Sequence, residues 1–149
     1  MNYQKITPDI EKAFEAIVGE KYILKGKEKT EKYASDESED LQYFPEIVLK
    51  PRTAEEISAI LKICTREFMP VTPRGAGTGL SGAALAIYGG VLLSMERFNS
   101  ILFIDERNLQ ATVEPGVINW VFQEEVKKLG LFYPPDPASR GSCFLGGNL

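Results

Sequence analysis

A chain of 149 residues, 44% hydrophobic and 26% charged, has the length of one domain and the composition of an ordinary soluble protein, which excludes fibrous and disordered classes. A net charge of −4 with scattered basic residues gives no field for phosphate polymers, so nucleic-acid binding has no support. Histidine is absent, which removes Ser-His and Cys-His nucleophiles and the commonest metal ligand, and Cys64 and Cys143 are too isolated for a zinc site or a disulfide framework.

No basic-then-apolar leader opens the chain, and no apolar run approaches the ~20 residues that span a bilayer. A reducing, cytoplasmic location without a transmembrane segment is expected.

The first helix is expected to begin with Thr7 as cap and Pro8 at its first position, because Ile10, Ala13, Phe14, Ile17 and Val18 then share one face. Gly19 is its stop. From Lys21 to Asp40 the chain is polar and charged without a clear period and reads as a surface connector, so that residues 1–40 form a helix and connector ahead of a domain beginning at residue 41. A βαβ unit follows. Glu46 to Lys50 reads as a strand, Thr53-Ala54-Glu55-Glu56 as a capping box, and Ile57, Ile60, Leu61, Cys64 and Phe68 as a helical stripe. Val71-Thr72-Pro73 is a short extended segment, and Gly90 to Met95 a strand buried on both faces. Ile101 to Ile104 and Gln110 to Val113 flank a polar turn and read as a hairpin. Ile118, Val121, Phe122, Val126 and Leu129 then mark a second amphipathic helix, stopped by Gly130. Leu131 to Pro137 reads as a short strand entering a loop rich in Pro, Ser and Gly, which runs to the last residue, Leu149.

Between the extended segment and the buried strand, Arg74-Gly75-Ala76-Gly77-Thr78-Gly79-Leu80-Ser81-Gly82 places four glycines in eight positions. Glycine reaches positive φ and lets a ligand approach the backbone, so successive N–H groups can converge on an anion such as a diphosphate. Arg74 would add charge, and the hydroxyls of Thr78 and Ser81 would add hydrogen bonds. A flexible surface turn is the competing reading, and the low charge and strand-fed context speak against it. Gly77 to Gly82 also satisfies the dinucleotide pattern G-x-G-x-x-G, with Glu96 near the place of a ribose-binding acid. That pattern needs a long helix between Gly82 and the strand at Gly90, and too few residues separate them. A P-loop fails because Ala83 and Ala84 stand where Lys and Ser or Thr are required.

The stretch from Pro73 to Ala84 resembles the diphosphate loop of the FAD-binding family named for vanillyl-alcohol oxidase and p-cresol methylhydroxylase. Pro134-Pro135-Asp136-Pro137-Ala138-Ser139 followed by Gly141 to Asn148 is similar to the family's second flavin-wrapping segment, about sixty residues further on. The resemblance is nearest to the branch of glycolate oxidase flavin subunits and D-lactate dehydrogenases. It implies an α+β fold, the first α/β subdomain of the FAD-binding domain with its βαβ unit, stopping short of the whole. It also implies cofactor contacts from Arg74, Gly75, Ala76, Gly77, Thr78, Gly79, Leu80 and Ser81, and from Pro135, Asp136, Ser139, Ser142, Gly146, Gly147 and Asn148. For Asp136 a turn residue between prolines accounts equally well. Some relatives tether their flavin to a histidine where Thr78 stands here, so a non-covalent FAD is implied.

The activity implied is oxidation of a small 2-hydroxy acid, glycolate or D-lactate, by hydride transfer to flavin, with an electron-acceptor subunit as a partner. Catalytic residues are expected beyond Leu149. A related oxidase of another alcohol or sugar lactone, or a non-catalytic nucleotide-binding module, are the alternatives. This segment alone is expected to hold FAD weakly, with apolar surface uncovered along Val91 to Met95 and around Phe144 and Leu145.

Overall fold

The computed structural model describes residues 3–148. Helix α1 (Pro8–Val18) starts as its sequence demands, with Thr7 Oγ1 accepting a hydrogen bond from the Ile10 N–H at 3.4 Å and Pro8 at the first position. Strand β1 (Ile23–Lys25), the single-turn helix α2 (Lys27–Thr30), β2 (Ile47–Leu49), α3 (Ala54–Arg66), β3 (Val71–Arg74) and β4 (Val91–Ser94) complete the first layer. The strands form one sheet in the order β1-β2-β4-β3, with β2, β4 and β3 parallel and β1 antiparallel on the edge. Thr53 caps α3 by accepting from the Glu56 N–H at 3.2 Å, and the Glu56 carboxylate accepts from the Arg52 N–H at 2.7 Å.

The two faces of the sheet are covered by different parts of the chain. Side chains alternate along a strand, so Ile47, Leu49, Val91 and Leu93 pack with Ile10, Phe14 and Val18 of α1 and with Ile60 and Cys64 of α3. Val48 and Leu92 point the other way and pack against Tyr33. That packing corrects the surface-connector reading. The stretch contains β1 and α2, and Thr30, Tyr33 and Ala34 are buried beneath its charged exterior. Full burial of a side chain such as Phe14 contributes ~2–3 kcal/mol through apolar surface removed from water.

The second layer contains the antiparallel hairpin β5 (Ile101–Asp105) and β6 (Gln110–Val113), followed by α4 (Asn119–Lys128). Val117, Phe122, Val126 and Leu145 form its core against Ile101, Ile104, Val113, Leu131 and Tyr133. Arg52 ties the layers together, donating to Glu114 Oε1 at 2.6 Å and to Ser100 Oγ at 3.1 Å. Gly116 has to be glycine at this junction, since a Cβ there would lie 2.4 Å from the Met95 carbonyl oxygen.

Several helical-stripe residues lie off the core. Leu61 and Phe68 are exposed, Phe68 because the chain turns there at φ 51°, and Val121 and Leu129 of the α4 stripe are exposed too. Residues 131–137 pair with no strand; prolines 134, 135 and 137 have no N–H to give a ladder. The expected uncovered surface is also elsewhere. β4 lies between β2 and β3 with Val91, Leu92 and Leu93 buried, Leu145 is buried, and Met95 and Phe144 are half-buried, whereas Leu102, Phe103, Leu109 and Phe132 are among the exposed apolar residues. Among the described residues no helix is long and apolar enough to cross a membrane.

One half-buried polar cluster braces the Tyr33 side of the sheet. Tyr33 donates its hydroxyl to Glu96 Oε1 at 2.6 Å, and Lys50 Nζ donates to Glu96 Oε2 at 2.9 Å. Burial alone would raise the Glu96 pKa, but Tyr33, Lys50 and Lys32 outweigh it and hold the carboxylate below its ordinary value. A folded-state value below the unfolded one means that the stabilisation is complete above the unfolded carboxylate range, about pH 4.3, and is lost as pH falls through the lower folded value. The melting temperature of the native chain should exceed that of Glu96→Gln at neutral pH. The gap should shrink as the pH is taken below about 4; a gap constant down to pH 3 would contradict the coupling.

Candidate functional site

β3 ends at Arg74 beside Ser94 of β4, and the glycine loop leaves from the C-terminal ends of these parallel strands, where open α/β sheets place their ligands. Residues 82–90 form turns with no helix, so the chain lacks the helix that a dinucleotide fingerprint requires. Glu96, the candidate ribose acid of that fingerprint, is bound to Tyr33 and Lys50.

The loop forms one wall of a cleft of about 300 Å³. Among the described residues, none of the backbone N–H groups of residues 75–81 donates to a protein acceptor. Backbone donors left unpaired in series are available to an anion, which a loop of this kind can cradle. Gly77 has φ +77°, a conformation that side chains with a Cβ rarely adopt.

Arg74 lies beneath this wall, outside the residues that line the cleft. Its guanidinium is buried and donates to the carbonyl oxygens of Ser35 at 2.8 Å, Lys32 at 3.2 Å and Ala84 at 3.4 Å. Burial pulls its pKa below the ordinary value, opposed by Asp36, Tyr33 and Glu96. The same guanidinium fills the space behind Gly77, where a Cβ would lie 2.1 Å from Nη2. Arg74 therefore sets the shape of the loop and places a positive charge under its donors.

The opposite wall is the segment ending at Asn148. Asn119, fully buried at the start of α4, donates from Nδ2 to the Pro135 carbonyl at 3.1 Å, and its Oδ1 accepts from Asn148 Nδ2 at 3.4 Å. Ile118 and Phe144 pair as an isolated bridge. Phe144 also reaches the glycine loop, since a Cβ on Gly75 would lie 3.6 Å from its ring.

The cleft brings together Gly75, Ala76, Gly77, Thr78, Gly79 and Ser81 with Ser139, Gly147 and Asn148. Other candidates lie off it. The Leu80 side chain is exposed, and Asp136 makes an exposed ion pair with Arg140 at 3.0 Å. Ser142 Oγ donates to the Ser139 carbonyl at 3.2 Å, and Pro135 serves through its carbonyl as the acceptor for Asn119 and Gln123. Gly146 is required by packing, because a Cβ there would lie 2.5 Å from Pro115 Cβ.

Cleft residues missed from the sequence are Asp36, Ala83, Ala84, Cys143 and Phe144. The last two sit inside the second motif and were within reach. Asp36 lies in an aperiodic polar run and carries no signal.

A row of free N–H groups, small residues that admit close approach, and neutral hydroxyl and amide groups opposite fit the diphosphate region of a dinucleotide cofactor. The pattern of the family described as FAD binding domain matches residues 45–149. The glycolate oxidase subunit GlcD of Bacillus subtilis is 45% identical over 117 residues, 78% of this chain and 25% of that protein. The D-lactate dehydrogenase of Anaerostipes hadrus is 36% identical over 148 residues, 99% of this chain and 31% of that protein. The chain thus spans between 25% and 31% of the length of these relatives. Among solved structures, an alkyldihydroxyacetonephosphate synthase superposes with a TM-score of 0.86 at 19% identity, over 99% of this chain and 30% of that one. A p-cresol methylhydroxylase superposes with a TM-score of 0.72 at 24% identity, over 80% of this chain and 24% of that one; at such identities the likeness concerns the fold alone. With the family pattern running from Pro45 through both walls of the cleft, the chain belongs to the family described as FAD binding domain.

Proposed function

We propose that this chain holds FAD non-covalently in the cleft between the glycine loop and residues 139–148, as the flavin-binding part of an oxidoreductase acting on a 2-hydroxy acid of the glycolate or D-lactate type. The observation that carries the cofactor assignment is the run of unpaired N–H groups of residues 75–81 above the buried charge of Arg74. Thr78, Ser81, Ser139 and Asn148 line the same cleft and supply neutral polar groups. Thr78 stands where a histidine tether would be needed, and a hydroxyl there favours reversible attachment.

The likeness to a glycolate oxidase subunit and a D-lactate dehydrogenase supports the substrate class. Bound FAD supplies the electron acceptor for the reaction, and this chain's residues bind and orient it. In this reading a separate electron-acceptor subunit completes turnover.

The test is anaerobic addition of glycolate, D-lactate and L-lactate to the complete polypeptide. Bleaching of the flavin band by glycolate or D-lactate is expected. A flavin-loaded protein bleached by none of them would refute the substrate class, and a colourless protein that takes up no FAD would refute the cofactor.

A further inference from the structure

Among the described residues, two buried side-chain atoms lack a hydrogen-bond partner, Asp36 Oδ2 and Ser38 Oγ, and they lie on the same turn. That turn is fixed to the glycine loop. Glu37 N–H donates to the Gly79 carbonyl at 3.1 Å, and Arg74 Nη2 donates to the Ser35 carbonyl at 2.8 Å. Asp36 Oδ1 is occupied, accepting from the Ser38 N–H at 2.9 Å, which holds the side chain in place and leaves Oδ2 free. Asp36 also lines the cleft alongside Gly75 and Gly77.

A buried acceptor with no donor is costly to maintain, so its persistence at the wall of a binding cleft calls for a donor that comes with the ligand. A phosphate is the wrong partner, because two anions in contact repel. The donors that a dinucleotide carries next to its diphosphate are sugar hydroxyls. We propose that Asp36 is a cofactor-contact residue whose free carboxylate oxygen accepts a hydrogen bond from a sugar-type hydroxyl flanking the diphosphate, on the ribose or on the ribityl chain. The assignment rests on the FAD-binding reading. It gives the glycine loop two complementary functions: N–H groups for the phosphates, and an acceptor for the polyol beside them.

Affinities for FAD, ADP and FMN, measured by calorimetry on the complete polypeptide and on Asp36→Ala and Asp36→Asn, decide it. Asp36→Ala should weaken FAD by about tenfold to a hundredfold, the loss of a hydrogen bond to a charged acceptor. Asp36→Asn keeps an acceptor and should lose roughly three- to tenfold. A parallel loss for ADP alone would place the hydroxyl on the ribose, and a loss for FMN alone on the ribityl chain. Unchanged FAD affinity in Asp36→Ala overturns the proposal, as does tighter binding by Asp36→Asn, the sign of relieved repulsion against a phosphate. Equal losses for ADP and FMN with a lowered melting temperature also overturn it, by showing a general disturbance of the loop. Should Asp36→Ala fail to fold, Asp36→Asn carries the test. Absence of FAD binding by the unsubstituted polypeptide would overturn the cofactor reading itself, and this contact with it.

Discussion

Gly77→Val is expected to reduce the flavin retained by the complete polypeptide to background. A β-branched residue at φ +77° is strained, and its Cβ would lie 2.1 Å from Arg74 Nη2 and 2.5 Å from Cζ. The guanidinium cannot stay, and its hydrogen bonds to Lys32, Ser35 and Ala84 go with it. Strain of about 1–3 kcal/mol plus disruption of a charged network amounts to a hundredfold or more in affinity. Gly79 behaves differently. A Cβ there meets nothing within 4 Å, so Gly79→Val should melt like the native chain when ligand-free and yet lose FAD. The two positions thus separate loop architecture from occupied space, which the glycine spacing alone does not do. Flavin per chain, measured by absorbance beside ligand-free melting curves, is the readout, and full flavin content in both variants would show that the loop is not the cradle.

Arg74→Met should lower the ligand-free melting temperature markedly as well as weaken FAD. The substitution leaves three carbonyl oxygens without their donor in a buried site, which costs about 2–4 kcal/mol and, for a chain of this size, roughly 5–15 °C. Arg74→Lys should recover only part of the stability, since one ammonium cannot reproduce a fork that bridges Ala84 to Lys32 and Ser35. A direct phosphate contact predicts the opposite pattern: unchanged melting for both variants, and FAD affinity largely preserved by lysine. Differential scanning of the ligand-free proteins distinguishes the two.

The βαβ unit was legible because its signals are local. Thr53 caps α3, Ile60 and Cys64 recur at helical spacing, and Val91 to Leu93 form an uninterrupted apolar run for a central parallel strand. The glycine loop was legible because small residues concentrated after a strand have few structural explanations. Residues 21–40 were not, because their burial is tertiary: Tyr33 covers Val48 and Leu92 while lysines and glutamates around it face water. Arg74 carried a phosphate reading by its chemistry, and only the fold shows its donors spent on carbonyls. Asn119 is buried at the start of α4 and holds Pro135 and Asn148 in place across gaps of sixteen and twenty-nine residues. Contacts between residues so far apart leave no period and no motif.

The central claim is that the run of N–H groups at residues 75–81 and the facing segment hold FAD without a covalent bond. Acid precipitation of the purified complete polypeptide, with flavin measured in pellet and supernatant, tests it most directly. The account predicts a yellow protein whose flavin passes quantitatively into the supernatant as FAD. Flavin that remains with the precipitated chain, or a preparation that carries none and takes none up, would contradict it.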